Sequence, residues 1–66
     1  MTEAHRQYVL EHPGQFTADE LSDAWAMTAE QCREKGPAFA WAAQIAEREA
    51  KVYATVAVRS RARERR

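Results

Sequence analysis

The stretch KVYATVAVRSRARERR, residues 51–66, decides how the rest of the chain is read. Val52, Ala54, Val56 and Val58 hold even positions, while Tyr53, Thr55, Arg59, Arg61, Arg63 and Arg65 hold odd ones. A beat of two puts the valines on one face of a β-strand and the arginines on the other. The β-branched residues Val52, Thr55, Val56 and Val58 agree with a strand. The alternative is one continuous helix over residues 38–66, because alanine and arginine are good helix formers. Val52 and Val56 would then align below Ile45, and the arginines would spread round the axis. The spacing favours a strand over residues 52–58, with residues 61–66 as a mobile basic extension. No turn signal such as Asn-Gly follows Pro37, so the chain does not readily build a hairpin there. The strand's partner is then either Gln15-Phe16-Thr17 or the edge of a second copy, which would give a homodimer.

Upstream of that stretch the pattern is helical. Gly36-Pro37 is a break, and proline at a first helical position opens the longest helix, over Ala38 to Ala50. Ala38, Trp41, Ala42 and Ile45 share one face at i, i+3, i+4, i+7 spacing and are expected to face the core, with Gln44, Glu47, Arg48 and Lys51 opposite. Ala38, Ala40, Ala42, Ala43 and Ala46 favour helix and permit close approach of another backbone. Trp25 and Trp41 are expected in the core.

The strongest local signal lies earlier still. In Phe16-Thr17-Ala18-Asp19-Glu20-Leu21, Thr17 and Glu20 have the spacing of a capping box, and Phe16 and Leu21 that of a hydrophobic staple. Asp19 and Glu20 suit the positive end of a helix dipole. A helix from Ala18 to about Met27 follows. Thr28-Ala29-Glu30-Gln31 repeats the box, so a short separate helix to Lys35 or a continuation are both open. A first helix runs from Glu3 to about His12, capped by Thr2 and stopped by Pro13-Gly14.

The 66 residues make one domain, residues 1–60, followed by the basic extension. A chain of this size is marginal unless well packed or oligomeric. No apolar run is long enough to span a membrane, and no signal peptide is expected. A lone cysteine, Cys32, fits a reducing, cytoplasmic setting. The zero net charge hides a split: residues 1–32 carry six acids and one base (−5), residues 33–66 nine bases and four acids (+5). Such asymmetry points to nucleic acid or membrane contact. His5 and His12 lack further ligands for a metal site, Cys32 lacks a base, and two glycines cannot build a phosphate loop. The expected protein is not an enzyme and needs no cofactor.

The order of helix, capped helix, longer helix and basic strand resembles a small winged helix-turn-helix domain. The lead-in Gln15-Phe16-Thr17-Ala18-Asp19-Glu20-Leu21 is similar to that family's approach to its second helix. Residues 38–51 followed by Val52-Tyr53-Ala54 are similar to its recognition helix running into a wing. The resemblance implies a mainly α fold with a short C-terminal wing, and double-stranded DNA as partner, as in bacteriophage and bacterial transcription regulators. The third helix would enter the groove, with the wing on the backbone. Two features depart from that family: Lys51 stands where a glycine is usual, and no returning strand follows. From the residues themselves, Gln44 is the mid-helix side chain suited to an adenine edge. Arg48, Lys51, Arg59, Arg61, Arg63, Arg65 and Arg66 would bind phosphates. The alternative function is a small protein-binding module or inhibitor on the same fold, in which the basic end meets an acidic partner or the acidic helices imitate DNA.

Overall fold

The structure, a computed structural model, describes residues 1–64. Three α-helices follow in order: α1 (Glu3–Glu11), α2 (Ala18–Glu34) and α3 (Ala40–Glu64). Short 3-10 turns at Pro13–Gln15 and Pro37–Phe39 connect them. No strand is present among the described residues. The wing is therefore corrected to helix: residues 51–64 continue α3 without a break. The domain boundary drawn at residue 60 falls inside α3, and Arg65 and Arg66 lie outside the described residues.

The physical reason is hydrogen bonding. A solitary strand over 52–58 would leave its backbone N–H and C=O groups to water or to a partner that the chain does not supply. Continuing the helix satisfies them within the segment, and Ala54, Ala57, Arg59 and Arg61 favour helix intrinsically. Thr55 adapts by donating its hydroxyl to the carbonyl of Lys51, at 3.0 Å.

The helix starts follow the local sequence. Thr2 accepts from the backbone N–H of His5, 3.1 Å. At α2 the capping box is complete: Glu20 N–H donates to Thr17 Oγ1 at 3.2 Å, and Thr17 N–H donates to Glu20 Oε1 at 3.2 Å. The staple also forms, with Leu21 buried and Phe16 packed against its cluster. The second box at Thr28 starts no helix. Its hydroxyl instead donates to the carbonyl of Ala24, 2.9 Å, inside a continuous α2. At the far end Gly36 follows the last turn with φ 105° and ψ −178°, a conformation open essentially to glycine alone.

α2 and α3 form an antiparallel hairpin, and α1 packs against α2. Val9, Leu21 and Ala24 make the buried cluster, closed by Leu10, Phe16 and, from α3, Tyr53. Tyr53 thus lies inward rather than beside the arginines. Arg6 ties α1 to α2 by donating to Thr28 Oγ1 at 2.9 Å. Trp25 is half-buried, as a core role requires in part, whereas Trp41 is 65% exposed.

Three substitutions test this account of the turns and caps. Gly36→Ala should lower unfolding free energy by about 1–3 kcal/mol, because alanine cannot adopt that backbone without strain. Gly14→Ala, at a site with open space and no positive φ, should change it by less than about 1 kcal/mol. Thr17→Ala should cost about 1 kcal/mol through loss of the cap. Urea unfolding of the three variants gives all three values.

Candidate interaction surface on the third helix

α3 has two apolar faces. The inner one carries Ala43, Ala46, Ala50, Tyr53 and Ala57, spaced three and four apart, so they fall on one side at about 3.6 residues per turn. Ala43, Ala46 and Ala57 are buried. Small side chains let α2 come close enough for the Ser22 hydroxyl to donate to the backbone carbonyl of Ala50, 2.9 Å. Ion pairs hold both ends of the hairpin. Arg33 near the end of α2 meets Glu47 near the start of α3. Arg61 near the end of α3 donates to Asp19 at the start of α2, 3.2 Å. Each pair is exposed and adds at most about 1 kcal/mol, but both set the register, and Asp19 also suits its helix dipole.

The outer face holds the large residues. Trp41, Ile45, Val52 and Val56 are 65%, 49%, 51% and 44% exposed. They lie along one line of the helix, opposite the alanine seam, with Arg48 among them and Arg59 and Arg63 continuing the line. The expectation that Trp41 and Ile45 face the core is therefore corrected: α2 packs on the alanines instead, because only they permit its close approach.

The residues expected to touch nucleic acid are redistributed. On a helix Arg59, Arg61 and Arg63 cannot share a face. Arg61 reaches toward α2 across the surface, its Nε donating to the carbonyl of Ala57 at 3.4 Å and its guanidinium engaging Asp19. Arg63 lies on the outer face. Gln44, Arg48, Lys51 and Arg59 are all exposed, and their spacing of four, three and eight aligns them along one flank, whose edge, Arg48 and Arg59, is shared with the apolar line. The single arginine face expected from the two-residue beat is thus absent, and this basic flank of α3 is what forms in its place. The charge split between the halves has an internal use as well, since antiparallel packing sets the acidic start of α2 beside the basic end of α3.

Other chemistry is sparse. Among the described residues no three His, Cys, Asp or Glu side chains converge on a point that could hold a metal. Cys32 is half-buried and free. His12 stacks on Tyr8, with ring centres 4.3 Å apart, and its Nδ1 lies 3.1 Å from the Tyr8 carbonyl. No described helix is long and apolar enough to cross a membrane.

Comparison with protein families, curated proteins and solved structures finds no match. The likeness to winged helix-turn-helix domains, read from element order and the capped start of α2, finds no support in them.

Size changes on the two faces of α3 should have unequal consequences. Ala46→Leu forces α2 away and should destabilise by about 1–3 kcal/mol. Ile45→Ala, measured in dilute solution, should cost less than about 0.5 kcal/mol, as at other exposed positions. Thermal unfolding followed by circular dichroism checks both.

Proposed function

We propose that this protein is a non-enzymatic binding module whose working surface is the outer face of α3. The observation that supports this reading is the inversion of that helix, with alanines inward and Trp41, Ile45, Val52 and Val56 outward. Single exposed apolar residues are ordinary, but a contiguous line of them marks a contact surface. Tryptophan and arginine are the side chains enriched where proteins meet, and Trp41, Arg48, Arg59 and Arg63 provide both. The surface suits a second helix laid along it, read at helical spacing. The lone, unbridged Cys32 fits a reducing, cytoplasmic setting.

A second reading is supported by the basic flank. Gln44, Arg48, Lys51 and Arg59 could lie along duplex DNA, with the cations on phosphates and Gln44 toward a base edge. Glu47, engaged with Arg33, is one turn from this line and weakens it by repelling phosphate.

Retention experiments separate the readings. Wild-type protein should hold a protein partner from nuclease-treated extract of its source cells, and the Ile45→Asp/Val52→Asp variant should lose it; equal retention by both rules the contact surface out. Duplex DNA titrated at about 50 mM salt, where phosphate contacts are strongest, should bind weakly or not at all. Tight binding lost on Lys51→Ala and Arg59→Ala would favour the second reading instead.

A further inference from the structure

We infer that the outer face of α3 pairs with the same face of a second copy, antiparallel, about a two-fold axis between residues 48 and 49. This rests on the reading of that face as a contact surface and names its occupant.

The first observation is the spacing of the stripe. Trp41, Ile45, Val52 and Val56 are symmetric about position 48.5: the outer two are 7.5 residues from it and the inner two 3.5. A two-fold interface uses one patch twice, so it must complement itself under reversal. With the axis at 48.5, Ile45 is level with Val52 of the second copy, and Trp41 with Val56. Four apolar side chains from each copy are covered at once.

The second observation is charge. Arg48 and Glu49 flank the axis, and neither forms an ion pair within the chain among the described residues. Two copies place both arginines on one edge of the stripe and both glutamates on the other, so the centre of the interface carries no net charge. Arg59 falls about 4–5 Å along the axis from Trp41 of the second copy, at 1.5 Å per residue, within reach of a cation–π contact. A parallel pair would instead stack Arg59 on Arg59 and Arg63 on Arg63, whereas the antiparallel pair separates them, with Arg59 level with residue 38 of the second copy. That separation favours the antiparallel arrangement.

The third observation is the size of the core. Among the described residues Val9 is the one large side chain fully buried, so the protomer's core is thin and extra burial is needed for robust stability. A standard interface removes about 800 Å² per partner, roughly a sixth of the 5027 Å² accessible surface. The body is 45 Å long and 21 Å wide, and α3 extends about 37 Å at 1.5 Å per residue over its 25 residues, so one face offers the required length.

Cross-linking in a Cys32→Ser background tests the arrangement. Ile45→Cys and Val52→Cys variants, each alone, place their two thiols about 10 Å apart along the axis, too far for a disulfide. Mixed in equal amounts under mild oxidation, they should form the 45–52 disulfide dimer in high yield. Sedimentation of the unmodified protein should show a dimer. Arg48→Glu and Glu49→Arg should each weaken it at least tenfold, and the double variant should restore most of the loss. A Val52→Cys variant that cross-links with itself, or wild-type protein monomeric at about 100 μM, overturns the inference. A monomer that still retains an extract partner through Ile45 and Val52 leaves the contact-surface reading standing and removes only self-pairing.

Discussion

The close approach of α2 to α3 is the constraint on which everything else depends. It is made possible by alanines on the inner face of α3 and by Ser22, whose hydroxyl reaches the backbone of the opposite helix. Once alanines occupy most of the seam, Trp41, Ile45, Val52 and Val56 are left on the outer side, with Tyr53 the large side chain of the inner face. Had Trp41 and Ile45 turned inward, they would have held the helices apart, broken the Ser22 contact and pulled Tyr53 from the cluster around Val9. The surface proposed for binding is thus a direct consequence of how the core is built.

The ends of the hairpin show the same economy of means. Arg61 and Asp19, with Arg33 and Glu47, fix how far α3 slides along α2. Their individual energies are small, yet a slide of one turn would bring different residues against the alanine seam. Part of the sequence's charge asymmetry is therefore spent inside the molecule. That matters for function, because an arginine engaged with α2 is not available to an external phosphate.

Local features of the fold were legible from sequence, and the face of α3 was not. The caps at Thr2 and Thr17, the staple of Phe16 and Leu21, and the breaks at Pro13-Gly14 and Gly36-Pro37 depend on neighbours within a few residues. The two-residue beat after Lys51 misled because valines fall on even positions and arginines on odd ones in a segment that also holds the helix-favouring Ala54, Ala57 and Ala62. The alternation is real, but a strand also needs a partner for its backbone, and none was encoded. The orientation of α3 was missed for a different reason. Large apolar residues usually mark the buried face, and the rule fails where small residues are required for close helix packing. The signal was present in the alanines at 43, 46, 50 and 57, whose three-and-four spacing matched a seam. Of the expected binding residues, Gln44, Arg48, Lys51 and Arg59 fall together on one flank. Arg61 parts from them because helical geometry divides what a strand would have aligned, Arg63 lies one turn beyond Arg59 on the outer face, and Arg65 and Arg66 lie beyond the described residues.

An isotope-filtered NOE experiment on an equal mixture of labelled and unlabelled protein examines the central claim most directly, since it reports only contacts between copies. The account predicts cross-peaks joining the methyl groups of Ile45 in one copy to those of Val52 in the other, on a chain whose shifts remain helical from Ala40 to Glu64. A helical chain at millimolar concentration with no such cross-peaks, its Ile45 and Val52 methyls contacting water alone, would contradict it.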